Sequence, residues 1–294
     1  MYDLESVYRP PAEKITEVLQ VTTGCSYNKC RFCGMYKNEE FRISSIDEIV
    51  IDIEKIKTRV PDLDRIYLIH GDAFVLSYNQ LKVIIHEIKT RLPKVETMAM
   101  FGSISNIMGK TDKELYDLKR LGVNDITIGI ESGWDDVLRR MDKGHSSSEM
   151  INECKRLSEV GINYSFSVMM GIGGRLYGRE NAHITAEVVN MTKPIRIDIA
   201  GLTLSPNSLL AKSVKEKTFI ESTEYEMVEE LITLIEHLSI ETYLDATHCS
   251  TTIRVSGQLP YEKEKLIEEL KSSLENFNEK KLRRRREKYM TLST

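Results

Sequence analysis

Glu17-Val-Leu-Gln-Val-Thr-Thr23, then Gly24, then Cys25-Ser-Tyr-Asn-Lys-Cys30-Arg-Phe-Cys33 is the stretch on which the fold turns. Leucine and β-branched residues stopped by a glycine predict a strand over 17–23, and the thiols follow at its C-terminal end. The number of thiols matters. A structural zinc site closes with four ligands, whereas three thiolates on an iron-sulfur cube leave one iron without a protein ligand.

The same residues allow other readings. A free cysteine is often a small buried hydrophobe, and a close pair in a secreted protein is often half of a disulfide framework. Here Ser26, Tyr27, Asn28, Lys29 and Arg31 make a polar loop, and five cysteines in 294 residues are too few for a disulfide scaffold. A three-thiol cluster accounts for the spacing, with zinc as the competing metal.

Outward from the loop, short β-branched runs alternate with amphipathic stretches, the pattern of βα units around a parallel sheet. Ile46, Ile49, Ile53 and Ile56 share one face of a predicted helix over 46–58, and Ser45 with Glu48 forms a capping box at its start. Strands are predicted over 65–70, 96–101, 124–130, 163–170 and 194–200. Between them, helices are predicted over 78–91, after Thr111, after Gly133, over 146–160 and over 179–191. About six βα units predict an α/β fold, a partial (β/α)6 TIM-like barrel over residues 1–205. Residues 206–294 are predicted as a C-terminal extension: helical over 225–238, extended over 242–256 and a long charged helix over 261–286. In such sheets the loops after the strands carry the site.

A hydrophobic share of 41% and a charged share of 29% belong to a globular protein, and no apolar run has the length of a membrane span. The start, Met1-Tyr-Asp-Leu-Glu-Ser, has no basic or apolar segment, so no signal peptide is expected, and reduced thiols point to the cytoplasm. The net charge of -4 argues against a general nucleic-acid binder. The basic run from Lys280 through Arg283-Arg284-Arg285-Arg286 to Lys288 is read as a solvated helix terminus whose cations complement the macrodipole. Phosphate binding by that run is the alternative, without the interleaved aromatics that base stacking wants.

Cys25-x4-Cys30-x2-Cys33, with Phe32 before the last thiol, resembles the cluster loop of the radical S-adenosylmethionine (SAM) superfamily, whose commonest form has a first gap shorter by one residue. His70-Gly71-Asp72-Ala73 stands where that superfamily has a Gly-Gly-Glu type turn. Ile128-Gly-Ile-Glu131-Ser-Gly133, followed by Lys143-Gly144, resembles the branch of oxygen-independent coproporphyrinogen oxidases and Elongator-type enzymes.

The resemblance implies that Cys25, Cys30 and Cys33 hold a 4Fe-4S cluster and that SAM binds the remaining iron. It implies backbone contact to the SAM amino group at Gly71 and Asp72, with Ser103 and Ser105 as further candidates. Glu131 would meet the ribose and Lys143 the carboxylate, and Gly171 and Gly173 of Met170-Gly-Ile-Gly-Gly174, together with Leu202, would meet the adenine. Reductive cleavage would give a 5'-deoxyadenosyl radical that abstracts hydrogen from a small-molecule substrate, with flavodoxin or ferredoxin as electron donor. His248 and Cys249 are candidate substrate-side groups, since an imidazole moves protons and a thiol donates hydrogen atoms. Cys154, inside a predicted helix, is read as structural. A tRNA-modifying enzyme and a non-catalytic cluster or haem chaperone on the same scaffold are the rival functions.

Overall fold

A computed structural model describes residues 9–275 and 277–290. The expectation made on Met1 to Ser6 lies outside the described residues. Along the chain run β1 (Glu17–Gln20), β2 (Thr22–Thr23), β3 (Arg42–Ile43), α1 (Ile46–Arg59), β4 (Arg65–Ile69), α2 (Tyr78–Arg91) and β5 (Thr97–Gly102). Next come α3 (Ile104–Met108), α4 (Asp112–Arg120), β6 (Val123–Glu131), α5 (Asp135–Arg140), α6 (Ser147–Val160), β7 (Asn163–Met170) and α7 (Gly178–Thr192). The last are β8 (Arg196–Gly201), α8 (Leu209–Lys215), α9 (Glu224–His237), β9 (Thr242–Asp245), β10 (Ser256–Leu259), α10 (Lys263–Glu275) and α11 (Glu279–Met290). Eight strands form a mostly parallel sheet in the order β1-β4-β5-β6-β7-β8-β9-β10. The α/β class expected from the sequence is the class observed.

The chain divides into two compact units. The first holds the described part of Met1–Asn28 with Asn38–Ile128 and Asn152–Tyr164. Its helices start where the sequence has reciprocal caps: Ser45 with Glu48, Ser77 with Gln80 and Thr111 with Glu114. Ile49, Ile53 and Ile56 form the buried stripe of α1, so burial rather than propensity alone holds that helix. Glu17 to Gln20 pair in parallel with Ile66 to Ile69. The strand expected over 17–23 is split, however: beyond Gln20 the chain leaves the sheet, and Thr22–Thr23 pair antiparallel with Arg42–Ile43. The Ser44 N–H donates to the Val21 carbonyl at this break, so the backbone groups given up by the main sheet are satisfied by the ribbon.

The second unit holds Lys29–Lys37, Gly129–Ile151 and the described part of Ser165–Thr294. From Ser165 to Met170, β7 alternates half-buried and buried residues and pairs with Arg196 to Gly201 of β8. Both β9 and β10 fall in the segment expected as an extension, and both join the sheet, β9 parallel to β8 and β10 antiparallel to β9. Only 242–245 of the predicted extended stretch 242–256 forms a strand before β10 begins. The long helix expected over 261–286 is two helices, because Asn278 caps a fresh start: its Oδ1 accepts from the Lys281 N–H at 3.0 Å.

The basic run is only in part the solvated terminus expected of it: Lys280, Lys281, Arg284 and Lys288 are exposed, but the run is tied to the fold through three of its arginines. Arg286 is buried, its Nε donates to Glu224 Oε1 at 2.8 Å, and its Nη1 donates to the Leu202 carbonyl. Arg285 donates to the carbonyls of Thr251 and Thr252, and Arg283 pairs with Glu221 at 3.0 Å. Glu279 at the start of α11 accepts from the backbone N–H groups of Glu224 and Tyr225, capping α9 from a distant part of the chain. Charge composition cannot foresee this, since the partners lie 33 to 84 residues away.

Candidate active site

In the first unit, Cys25 directly follows Gly24, which turns the chain at φ +70°. The Asn28 N–H approaches Cys25 Sγ at 3.5 Å. Gly71 faces this residue so closely that an added Cβ would sit 2.6 Å from the Gly24 carbonyl oxygen and 3.0 Å from Cys25 Cα. Only glycine fits. Asp72 is buried and reaches the cysteine loop: Ser26 Oγ donates to its Oδ2 at 2.5 Å and the Ser26 N–H to its Oδ1 at 3.4 Å. Burial raises the Asp72 pKa against hydrogen bonds from Ser26 and Asn106. Ser103 caps α3, accepting from the Asn106 N–H at 3.2 Å, and Ser105 lies within that helix. Sequence reading missed buried Lys110, whose Nζ donates to the Phe74 carbonyl at 2.7 Å and whose pKa burial lowers to about 8.

In the second unit, Cys30 and Cys33 pack against an apolar cluster that contains Phe32, Ile172 and Leu202. The Arg31 N–H donates to the Met141 carbonyl at 3.0 Å, and the Arg31 carbonyl accepts from Leu210 at 2.7 Å, so this half of the loop is tied to α5 and α8. Lys143 Nζ lies 3.3 Å from Glu131 Oε1 and 5.8 Å from the Phe32 ring centroid. Burial alone would lower the Lys143 pKa, but the charges of Glu131, then Cys30 and Cys33, hold it above the usual lysine value. Glu131 ends β6 with φ +62°. A non-glycine residue in the left-handed region costs of order 1 kcal/mol, the kind of strain that gathers at functional sites.

After β7, Gly171 turns at φ +82°, and Gly173 accepts from Arg140 Nη2 at 3.1 Å. Gly171 lies against Leu202, whose Cβ would be 3.6 Å from an added Cβ. His248 Nδ1 lies 2.7 Å from Ser250 Oγ, and Cys249 Sγ is 3.8 Å from His248 Nε2. Burial, then the Arg254 charge, push His248 below its usual pKa, which leaves the imidazole neutral at pH 7. Cys154 is fully buried in α6, and burial drives its thiol pKa strongly upward, as for an inert core thiol.

A network that sequence reading missed lies under the Gly171 turn. Fully buried Glu230 accepts from the Gly171 N–H at 2.7 Å and from Asn181 Nδ2 at 2.8 Å, while Ser132 Oγ donates to Asn181 Oδ1 at 2.6 Å. One signal was available: Glu230 falls three residues after Met227 and four before Leu234, on the apolar stripe of α9.

The donor set fits an iron-sulfur cube, with three soft thiols in one loop, none in a disulfide and none fully buried. Among the described residues no three His, Cys, Asp or Glu side chains converge as the ligands of one metal ion do. A cube takes its thiolates on separate irons. Among those residues, too, no helix is long and apolar enough to cross a membrane.

Fold and loop together define an α/β protein with a three-cysteine loop directly following β1 and β2. The radical SAM superfamily profile matches residues 19–182, more than half of the chain. This chain belongs to the radical SAM superfamily, whose cofactors are a 4Fe-4S cluster and SAM. It is 28% identical over 154 residues to the haem chaperone HemW of Bacillus subtilis strain 168, a match covering 50% of this chain and 40% of that protein. Among solved structures, coproporphyrinogen III oxidase (HemN) from Escherichia coli gives a TM-score of 0.58 at 13% identity, covering 78% of this chain and 53% of that one. The methyltransferase TsrM from Kitasatospora setae gives 0.57 at 15%, covering 69% and 39%. These likenesses show the fold, the TIM-like α/β arrangement expected from the sequence, and the chain spans only about half or less of each relative's length.

Proposed function

We propose that this chain is a radical SAM enzyme acting on a small molecule, with Cys25, Cys30 and Cys33 as ligands of a 4Fe-4S cluster. The observation that carries this reading is the loop itself: three partly exposed thiols, none in a disulfide, following β1 and β2, with Lys143 Nζ 3.3 Å from Glu131 Oε1 beside the apolar cluster on which Cys30 and Cys33 pack. When bound, the cluster and SAM supply reductive cleavage to a 5'-deoxyadenosyl radical that abstracts a hydrogen atom from a C–H bond. The protein's part is binding and orientation.

Asp72 orients the Cys25 end of the loop through Ser26, and Gly71 leaves room for it. Lys143 offers an ammonium to the SAM carboxylate, and Glu131 accepts from the ribose hydroxyls. Gly171, Gly173, Phe32 and Leu202 form an apolar and glycine-lined seat for the adenine, a flat group that stacks on backbone and aliphatic surface. Ser103, as a helix cap, supports the backbone beside Asn106. His248, neutral at pH 7, accepts or returns a proton at a ring nitrogen beside the Cys249 thiol. A flavodoxin or ferredoxin in the cytoplasm would supply the electron.

The test is anaerobic reconstitution followed by SAM and dithionite. Release of 5'-deoxyadenosine is expected, and Cys33→Ala should abolish both the full cube and the release. An intact cluster without release from the wild type would sink the catalytic reading. A second reading, a haem chaperone, is favoured by the match to HemW. Stoichiometric haem binding without 5'-deoxyadenosine release would support it.

A further inference from the structure

Two turns assigned above to the nucleoside of SAM share a support that neither the cluster loop nor the ion pair explains. Glu230 on α9 accepts from Gly171 N–H at 2.7 Å with one carboxylate oxygen and from Asn181 Nδ2 at 2.8 Å with the other. Asn181, on α7, passes the constraint on, because its Oδ1 accepts from Ser132 Oγ at 2.6 Å. Ser132 Oγ in turn accepts from the Trp134 N–H at 2.9 Å, fixing the chain directly after Glu131. Glu230, Asn181 and Ser132 are each fully buried, so no water competes for these bonds.

We propose that Glu230 is a positioning residue for SAM, its carboxylate locking the adenine-side turn at Gly171 and, through Asn181, the ribose-side turn after Glu131 into one rigid seat. The proposal rests on the radical SAM reading and assigns the network a task within it. Its chemistry requires an anion. A carboxylate accepts from both N–H groups, whereas a protonated acid, or a glutamine, turns a donor toward one of them and leaves a donor facing a donor.

The network is set up to feel pH. Burial raises the Glu230 pKa from 4.5 to about 7 against the bonds from Asn181 and Gly171. α7 presents Asn181 and Gly178 to it, the turn after β7 presents the Gly171 N–H, and no charged group is among the causes of its shift. The Arg179 and Glu229 pair joins the same two helices at 2.6 Å, on the exposed side. Above neutral pH both turns are held, and below it one N–H is released.

The experiment is SAM binding without reductant to the full-length, anaerobically reconstituted protein, by equilibrium dialysis between pH 6 and pH 8. Iron content and far-UV circular dichroism serve as controls. In the wild type the dissociation constant should rise roughly tenfold as pH falls through 7, the scale of one buried polar group left unpaired. Glu230→Gln should bind about tenfold more weakly than the wild type at pH 8 and lack that pH-dependent increment. The SAM amino group titrates equally in both proteins, so the difference between them isolates Glu230. Asn181→Ala, which spares the bond to Gly171, provides a second variant should Glu230→Gln fail to fold, and it should weaken binding by a smaller factor. Binding by Glu230→Gln equal to the wild type, or an unchanged pH profile, would overturn the proposal while leaving the radical SAM reading intact. A wild type that carries its irons but binds no SAM would overturn both.

Discussion

Replacing Arg286 by alanine should be among the most damaging single changes outside the cysteine loop. Its guanidinium is 4% exposed and its partner Glu224 is 0% exposed, with 2.8 Å between them. The other Glu224 oxygen accepts from Thr252 Oγ1 at 2.6 Å, and Arg286 also satisfies the Leu202 carbonyl. Removing the cation therefore strands an anion that water cannot reach and takes a donor from a buried carbonyl. Breaking such a pair from one side costs about 3–5 kcal/mol, against about 0.5 kcal/mol or less for the exposed neighbour in Arg284→Ala. In a chain of this size the loss corresponds to a fall in Tm on the order of 10 °C. Anaerobic urea denaturation followed by circular dichroism supplies the comparison. The double variant Glu224→Gln/Arg286→Met, which removes both charges, should recover about 2 kcal/mol of the loss. If Arg286→Ala costs no more than Arg284→Ala, or the double variant recovers nothing, the account of Arg286 as an internal tie is wrong.

Gly71→Ala should keep its helical circular dichroism yet lose iron several-fold after reconstitution, because the new Cβ would lie 2.6 Å from the Gly24 carbonyl beside Cys25; full iron loading would count against the close approach. Glu230 also predicts a sign for stability. A carboxyl raised from 4.5 to about 7 contributes stability that is complete below pH 4.5 and lost as pH rises to about 7. The stability of the wild type relative to Glu230→Gln should thus fall by about 3 kcal/mol between pH 4.5 and pH 8. Denaturation at both ends of that range measures it, and a difference that grows with pH would mean that the two N–H bonds outweigh burial. A buried carboxylate that costs stability where it is ionised is what a residue retained for positioning looks like.

What the sequence reveals follows from how local each cause is. α1 is readable because Ser45, Glu48 and the isoleucine stripe act within a few turns of one helix. The cysteine loop is readable for the same reason. The split after Gln20 is not, because the ribbon partner of Thr22–Thr23 lies at Arg42–Ile43, about twenty residues on. Arg286 and Glu230 are harder still. A charge carries no mark of whether its counterpart is water or a carboxylate 62 residues away, and only the place of Glu230 on an apolar stripe hinted at burial. For Asp72 the sequence predicts only a backbone contact after β4, and the structure adds its side chain on Ser26.

The reach of α11 also sets an order of events during synthesis. The first turn of α9 has a local capping box in Thr223 and Glu226, but the amides of Glu224 and Tyr225 find their acceptors on Glu279, 55 residues after Glu224, and the Glu224 carboxylate pairs with Arg286. Until that segment is made, two amides and the carboxylate at the start of α9 are left to water, so the buried tie from Glu224 through Arg286 to Leu202 waits for α11. The helix caps described for the first unit are local. Its caps on α1, α2 and α4 come from residues within three positions of their partners, so it can consolidate first and wait.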